Sequence, residues 1–340
     1  MFENFFGNHA AQEALEQMVE REKISQTILL AGPAGVGKAT LVRRFAARLL
    51  GGALKVEHDD LSLPQNADYI AEREKWPADK RNDDPLLFAT HPDFVTYAPD
   101  GPLRQLTIPQ MRTLKERAQF KPLKGTRRIF LIDQIDRANE QAANSLLKTL
   151  EEPPDHLILF LTAANPYDLL PTIRSRAVSL HLAPLADEEM REFVKTRQLD
   201  DAERRVALAW GSPGLAISID LNGYDRRRSA MLALLEAASG VAPFAAWVRN
   251  AESAAARQEK LEPLLKNLYG LLGDILMLQQ GGAAIRNADV RPQLTAIAER
   301  VSFEWIRRAV AKTDELAELV RRNIQKNLAL DALIMTLRPA

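Results

Sequence analysis

A glycine-rich stretch near the N-terminus has the residue types and spacing of a phosphate-binding loop. GPAGVGKAT follows the apolar run at residues 28–31 and precedes a helix-like segment that extends to residue 50. The backbone N–H groups of such a loop and the helix N-terminus can cradle an anion, and Lys38 can reach the outer phosphates. An ordinary turn with a surface lysine is the simpler alternative, but the flanking patterns disfavour it. The candidate nucleotide-binding residues here are Gly32, Pro33, Ala34, Gly35, Val36, Gly37, Lys38, Ala39 and Thr40.

Ala39 occupies the position where such loops normally carry the Ser or Thr hydroxyl that binds Mg²⁺. Its methyl group cannot bind a metal ion. Thr40 lies one position further on and points about 100° around the helix, so its hydroxyl does not simply replace the missing ligand. The loop therefore predicts phosphate binding more strongly than metal-assisted hydrolysis.

A second candidate is Asp133, which follows an apolar run in the stretch RIFLIDQIDRAN. A carboxylate there can coordinate Mg²⁺ or its water ligands, and the next residue is usually the Glu that orients the attacking water. This chain has Gln134, whose amide cannot take a proton although it can still hold a water in place. Without the glycine-rich loop, Asp133 would be interpreted only as the end of a strand.

The elements that must position these residues alternate between short apolar runs and helical patterns, which is typical of a parallel sheet covered by helices. Ligands bind beyond the carboxyl ends of such strands, so Gly32, Asp133 and the turn at residues 162–165 should converge at one edge. Residues 51–91 are predicted to be a polar insertion with weak helices, and helices replace strands after about residue 182. The predicted strands are residues 28–31, 94–97, 129–133, 157–162 and 178–181.

The composition argues against several classes of protein. Lys+Arg and Asp+Glu both number 45, which argues against a generally basic nucleic-acid coat protein. The absence of cysteine excludes disulfides, thiolate catalysis and cysteine zinc sites, and is compatible with a reducing cytoplasm. No apolar run approaches the roughly 20 residues that cross a bilayer, and no secretory signal pattern is visible. We therefore expect a cytoplasmic protein with no membrane partner.

Two further stretches are more specific. NEQAANSLLKTLEEPP at residues 139–154 and LLPTIRSR at residues 169–176 together closely resemble the clamp-loader branch of the AAA+ ATPases. Other stretches extend the resemblance over nearly the whole chain and favour a non-motor member of this family. They are HPDF at 91–94, LTIPQMRTLKE at 106–116, GTRRIFLID at 125–133, GSPGLA at 211–216 and RRNIQKNLALDALIM at 321–335.

The resemblance implies a fold class of α/β plus all-α, in three regions. Residues 1–183 correspond to an AAA+ P-loop parallel-sheet domain and residues 184–238 to a small helical lid domain. Residues 239–340 correspond to a C-terminal helical collar domain through which subunits form a ring. The usual four-cysteine zinc module of this family has no counterpart here, since the chain has no cysteine. No zinc or other resident metal site is therefore expected.

The resemblance also implies roles for single residues. The arginine of the family's SRC motif acts on ATP bound to the neighbouring subunit, and it corresponds to Arg176, here in SRA. A guanidinium supplied in this way stabilises charge on the transferring phosphoryl group even when its own subunit hydrolyses nothing. Thr162 or Asn165 is the candidate first polar sensor. Leu215 occupies the position predicted for a second sensor arginine, which is therefore missing.

Two functions remain open within this family. The preferred one is a mostly non-hydrolysing stator that helps load the sliding clamp on primed DNA and lends Arg176 to a neighbouring ATPase subunit. The alternative is an ATP-hydrolysing motor subunit of the gamma/tau type. An unrelated P-loop enzyme acting on small molecules has no substrate motif to support it.

The expected partners are clamp-loader subunits of the gamma/tau and delta types, the sliding clamp, and primer-template DNA. The basic stretch at residues 115–128 could approach DNA phosphates, but a solvated surface explains it equally well. The expected cofactor is ATP or ADP with magnesium, bound weakly or not at all.

Overall fold

The computed structural model describes residues 2, 4–247, 261–282, 284–319 and 325–338. By its internal contacts the chain divides into two units, residues 1–202 with 209–217 and residues 203–208 with 218–340. The predicted three-domain organisation, with boundaries after residues 183 and 238, stays a prediction. Part of the predicted collar, at residues 248–260 and 320–324, lies outside the described residues.

The first unit contains a six-stranded sheet in the order β2-β3-β4-β5-β1-β6. Every neighbouring pair is parallel except β2 with β3. All five predicted strands are present, and together with the loop after β1 they confirm the α/β part of the predicted fold class. The two-residue strand β2 was not predicted. The strands are β1 (Thr27–Ala31), β2 (Leu87–Phe88), β3 (Phe94–Tyr97), β4 (Arg128–Ile132), β5 (Leu157–Ala163) and β6 (Val178–His181).

Helices cover both faces of this sheet because successive residues of a strand point to opposite sides. In β1, Ile28 and Leu30 belong to one buried apolar cluster with residues of α2, whereas Leu29 belongs to a second cluster with residues of α6 and α7. The helices from the N-terminus to residue 196 are α1 (His9–Glu20), α2 (Lys38–Leu50), α3 (Ala53–Glu57), α4 (Pro64–Arg73), α5 (Ala78–Asp83), α6 (Ile108–Ala118), α7 (Glu140–Glu151), α8 (Pro171–Arg174) and α9 (Asp187–Thr196).

The boundaries of α7 follow from local chemistry. The Asn139 side chain accepts a hydrogen bond from the Ala142 N–H at 2.8 Å, which caps the first turn. Pro153 and Pro154 follow the last turn, where a helix could not continue. Glu151, the last residue of α7, is exposed at the surface.

The polar insertion is organised around Arg73, whose side chain is completely buried. Its Nε and Nη2 donate to the Asp100 carboxylate at 3.1 and 2.7 Å, and its guanidinium lies 4.6 Å from the centre of the Trp76 ring. A buried charge is tolerated only when it is paired and hydrogen-bonded. This network joins α4 to Asp84, which follows α5, and to the segment after β3. The short helices α3 to α5 match the weak helices predicted there.

The second unit is helical throughout its described residues, as the tail pattern predicts. Its core is a single apolar cluster to which every long helix of the unit contributes. No helix in the described part of the chain is long and apolar enough to cross a membrane. The helices of this unit are α10 (Ala202–Ala209), α12 (Leu221–Ser239), α13 (Leu261–Gln279), α14 (Arg291–Arg300), α15 (Phe303–Leu319) and α16 (Lys326–Leu337), whereas α11 (Pro213–Ser218) belongs almost entirely to the first unit. Short 3₁₀ helices lie at Ile135–Arg137, Pro166–Asp168 and Ala288–Val290.

Candidate functional site

The loop after β1 has the local structure of a phosphate cradle. Gly35 and Gly37 adopt φ values of 79° and 100°, which glycine reaches without strain. Gly32 lies so close to β6 that a Cβ there would be 2.1 Å from the Leu182 carbonyl oxygen. Gly37 directly precedes α2, so the N-terminus of this helix lies at the loop. Pro33, Ala34 and Gly35 are exposed, whereas the Val36 side chain is buried in the core.

Lys38 is folded back onto this loop. Its Nζ donates to the carbonyl oxygens of Gly32 and Pro33 at 2.5 and 2.8 Å. Burial lowers the pKa of the Lys38 ammonium group, and the carboxylates of Asp133 and Asp136 partly oppose this shift. A phosphate group would have to compete with the two loop carbonyls for Lys38.

Residues 211–216 pack directly on the loop. The Gly214 N–H donates to the Gly35 carbonyl oxygen at 2.8 Å, and the Ser212 hydroxyl donates to the Ala34 carbonyl oxygen at 3.1 Å. A Cβ added to Gly35 would lie 2.2 Å from Ser212 Oγ, and one added to Gly214 would lie 3.0 Å from Gly35 Cα. These distances leave no room for a side chain at residue 35 and require adjustment of the loop for one at residue 214.

The structure distinguishes Leu215 from its neighbour Gly214. The backbone N–H of Leu215 donates to Ser212 Oγ at 3.2 Å, and 43% of the residue is exposed. The Gly214 N–H instead donates directly to a carbonyl oxygen of the loop, that of Gly35. Sequence reasoning missed Gly214, although the two glycines of GSPGLA were a signal for close backbone approach.

Phe5 is a second residue at the loop that sequence reasoning missed. A Cβ on Gly37 would lie 3.0 Å from Phe5 Cε2. The ring therefore packs on the last residue of the loop before α2. The signal was the apolar cluster of MFENFFGNH, which precedes α1.

The carboxylate of Asp133 is hydrogen-bonded to side chains of its own chain. The Thr162 hydroxyl donates to Asp133 Oδ1 at 2.6 Å, and the Gln134 amide donates to Asp133 Oδ2 at 3.2 Å. The Gln134 backbone N–H in turn donates to Thr162 Oγ1 at 2.8 Å. These three residues meet at the carboxyl ends of β4 and β5, in the place the strand pattern predicts.

Asn165, the other sensor candidate, lies outside this network. Its Oδ1 accepts from the Tyr167 N–H at 3.1 Å, and its amide donates to Asp168 Oδ1 at 3.0 Å. These contacts cap the 3₁₀ helix that follows β5. The structure therefore brings Thr162, and not Asn165, to Asp133.

Asp136 is an acidic neighbour of Lys38 that was not singled out from the sequence. One of its oxygens accepts from the Ala164 N–H at 3.4 Å, and the other is buried with no hydrogen-bond partner among the described residues. Its spacing of three residues from Asp133, across a 3₁₀ turn, was the available signal. Together the two carboxylates offset the positive charge of Lys38.

The loop lacks the hydroxyl ligand that normally holds a magnesium ion in such a site. Ala39 has no ligand atom, and the Thr40 hydroxyl accepts a hydrogen bond from Arg43 Nη2 at 3.3 Å. Arg43 is itself buried and paired with Glu57 and Asp60. Within the described ranges, no three His, Cys, Asp or Glu side chains are grouped as a metal site.

Arg176 lies at the amino ends of the parallel strands, whereas the loop lies at their carboxyl ends. It precedes β6, whereas the loop follows β1, and these parallel strands pair Ile28 with Val178. Leu182, which is level with Gly32, follows Val178 by four positions, so the two ends of this strand pair are roughly 13 Å apart. The Arg176 side chain is one-third exposed and forms an ion pair with Glu151 at 2.7 Å.

The basic stretch at residues 115–128 divides into two parts. Arg128 is buried, donates to the Arg117 carbonyl oxygen at 2.6 Å and lies 3.8 Å from Asp93. Lys121 and Lys124 are exposed on the loop before β4. Arg128 therefore supports the fold, and the exposed Lys121 and Lys124 are the basic side chains of this stretch that are most accessible to an anionic partner.

Comparisons with known proteins agree with the sequence resemblance. Residues 83–186 match the family described as DNA polymerase III, delta subunit. Over 226 residues the chain is 30% identical to DNA polymerase III subunit delta′ of Pseudomonas aeruginosa, a match that covers 65% of this chain and 64% of that protein. Over 311 residues it is 28% identical to DNA polymerase III subunit tau of Escherichia coli, covering 84% and 45% of the two chains.

Among solved structures, the chain is similar to a DNA polymerase III gamma-subunit-related protein from Thermotoga maritima. The similarity covers 95% of this chain and 98% of that one, with a TM-score of 0.47 and 20% identity. The chain spans less than two thirds of the length of the delta′ relative. The predicted resemblance to clamp-loader subunits is confirmed: the chain is similar to the delta′ and tau subunits of bacterial DNA polymerase III, and its residues 83–186 match the family described as DNA polymerase III, delta subunit.

Proposed function

We propose that this chain is a stator of the delta′ type in a bacterial clamp-loader complex. In this role it hydrolyses little or no ATP and helps load the sliding clamp on primed DNA. It provides Arg176 to ATP bound on a neighbouring subunit. The observation that carries the proposal is that Arg176 lies before β6 whereas the chain's own loop lies after the parallel strand β1, at the other ends of these strands. This separation supports a role for the guanidinium on another chain rather than at its own loop.

The hydrogen bonds at the loop, and the residue types at positions 39 and 134, support this proposal. Lys38 donates to two loop carbonyls, and both Asp133 oxygens accept from neighbouring side chains. Hydrolysis needs a metal ion and an oriented water, whereas Ala39 and Gln134 supply neither a metal ligand nor a general base. Phosphate binding by the loop backbone is still compatible with these residues.

A motor subunit of the tau/gamma type is the second candidate. It is favoured by the match to tau, which covers more of this chain than the match to delta′ does, and by the intact glycines and lysine of the loop. The two candidates differ in one measurable property, because only a motor hydrolyses ATP at its own loop.

The first experiment measures the isolated chain. Under the stator proposal, MgATP turnover is negligible, and magnesium does not tighten the binding of ATP or ADP measured by calorimetry. Turnover comparable to that of a motor subunit, abolished in Lys38→Ala, would establish the motor function instead.

The second experiment measures ATP hydrolysis in a complex reconstituted with the tau/gamma- and delta-type subunits of the same organism. Arg176→Ala should lower hydrolysis while assembly is unchanged. Arg174→Ala is the matched control, because Arg174 lies two residues away and packs over the Tyr167 ring at 5.1 Å. Equal hydrolysis by both variants and the unmodified complex would remove the proposed role of Arg176.

The helices after residue 239 form the proposed contact with other subunits. On α16, Leu328 and Met335 are 63% and 65% exposed, and their spacing of seven residues places them on one helix face. Leu328 also lines an apolar groove of about 540 Å³ with Leu316 and Leu319 of α15. The double variant with Leu328→Glu and Met335→Glu should weaken assembly measured by gel filtration, because it places charges on the proposed apolar contact. Both side chains are exposed, so the helical core stays intact. Unaltered assembly would assign the contact to another surface.

A further inference from the structure

Arg176 is held against its own chain by three hydrogen bonds. Its Nη2 donates to Glu151 Oε1 at 2.7 Å, and its Nη1 donates to the Thr172 carbonyl oxygen at 2.9 Å and to Ser175 Oγ at 3.2 Å. The two terminal nitrogens form the planar fork that binds phosphate in a bidentate manner. In this conformation both nitrogens are directed at atoms of the same subunit.

Glu151 has an electrostatic reason to attract this guanidinium. It is the last residue of α7 and is followed by Glu152. The C-terminus of a helix carries a partial negative charge, so two carboxylates there are unfavourable and a nearby cation is stabilising. Arg176 supplies that cation from 25 residues further along the chain.

We propose that Glu151 is a positioning residue that holds Arg176 in a withdrawn conformation until a phosphoryl group on the neighbouring subunit replaces its carboxylate. The inference rests on the proposed role of Arg176. It adds an anion supplied by this chain that competes with the nucleotide for the same guanidinium.

Because the Arg176–Glu151 ion pair is exposed to water, breaking it costs little free energy, and a phosphate group can take the place of Glu151. The side chains of Arg176 and Glu151 are 33% and 48% exposed, and ion pairs of this kind are weak because water screens them. The typical strength of such a pair corresponds to roughly a 1.5- to 5-fold effect on an equilibrium. A phosphate group carries more charge than a carboxylate and accepts both arms of the fork, so it can displace Glu151.

The test uses the same reconstituted clamp-loader complex, with ATP concentration varied. In Glu151→Gln the carboxylate is gone but the side-chain size is kept. The ATP concentration for half-maximal hydrolysis should fall roughly 1.5- to 5-fold, while the maximal rate changes less. Glu152→Gln, the adjacent exposed position, is the matched control and should behave like the unmodified complex.

A purely structural ion pair would give a different result. If Glu151 only joins α7 to the turn at residues 172–176, its removal should lower the maximal rate or leave both parameters unchanged. Either of these outcomes, or an increase in the half-maximal ATP concentration, would overturn the proposal.

Combining the substitutions separates this inference from the proposed function. If Glu151 acts through Arg176, the variant with both Glu151→Gln and Arg176→Ala should match Arg176→Ala alone. Unchanged hydrolysis in Arg176→Ala would refute the proposed function itself. Reduced hydrolysis in Arg176→Ala, with Glu151→Gln indistinguishable from Glu152→Gln, would refute only the positioning role of Glu151.

Discussion

Gly214 lies against Gly35, and its backbone N–H donates to the Gly35 carbonyl oxygen at 2.8 Å. A Cβ on Gly214 would approach Gly35 Cα to 3.0 Å, and a Cβ on Gly35 would overlap Ser212 Oγ. The contact ties the segment at residues 211–216 to a loop whose lysine is bound to its own carbonyls. It explains physically why both positions are glycine.

Gly35→Ala should destabilise the protein for two reasons. At φ 79° an L-residue is strained by roughly 1–2 kcal/mol, and the new Cβ would also displace Ser212 Oγ. We expect a lower midpoint of thermal unfolding, measured by circular dichroism. Gly125→Ala is the control, since a Cβ there meets no atom within 4 Å. Equal midpoints for the two variants would contradict the proposed Gly35 contact.

Arg73→Met should destabilise the polar insertion by about 3–5 kcal/mol, because it leaves the buried Asp100 carboxylate without its partner. The measurement is the free energy of unfolding by urea titration. Arg104→Met is the matched control, since Arg104 pairs with Glu74 at the same 2.7 Å distance but is 41% exposed. Its loss should cost about 0–1 kcal/mol. Similar losses in the two variants would show that Arg73 does not organise the insertion.

His91 should make the protein less stable in mild acid. The residue is 2% exposed, and its Nδ1 accepts from the Asp93 N–H at 3.2 Å, which requires an unprotonated nitrogen. Burial lowers the pKa of His91 below its usual 6.5; Lys124 and Lys55 add to the shift, while Asp93 and Asp59 oppose it. Below pH 6.5 the unfolded chain therefore binds more protons than the folded one, and the free energy of unfolding falls as the pH falls.

The measurement for His91 is urea unfolding between pH 7 and pH 5. Relative to His91→Gln, the unmodified protein should lose stability across this range, by at most about 1.4 kcal/mol per pH unit. His9→Gln is the control, because the His9 side chain is 74% exposed. If His91→Gln keeps the pH profile of the unmodified protein, His91 is not the titrating group.

Arg176→Lys should behave almost like Arg176→Ala in the reconstituted complex. Lysine keeps the positive charge but lacks the planar fork. If Arg176 acts on the neighbouring subunit, single-turnover hydrolysis at that site should fall by a factor on the order of 10³ or more with alanine. Full activity of Arg176→Lys would mean that charge alone is sufficient.

The sequence determined the sheet and the position of the glycine-rich loop, because parallel strands buried on both faces appear as continuous apolar runs. The meeting of Asp133, Gln134 and Thr162 was also predictable, since the carboxyl ends of parallel strands share one edge. Strand β2 was missed because two half-buried residues, Leu87–Phe88, carry no usable periodicity.

The tertiary structure alone decided which residues contact each other across long stretches of chain. Local spacing could not show that the Gly214 N–H donates to the Gly35 carbonyl oxygen, because that contact depends on how two distant backbones approach each other. It could not pair Glu151 with Arg176, which are brought together by α7, β5 and α8. The sequence therefore determined the type of site. Three-dimensional packing decided that Lys38 and Asp133 form hydrogen bonds within their own chain. It also decided that Arg176 pairs with Glu151, at the ends of the strands away from the loop.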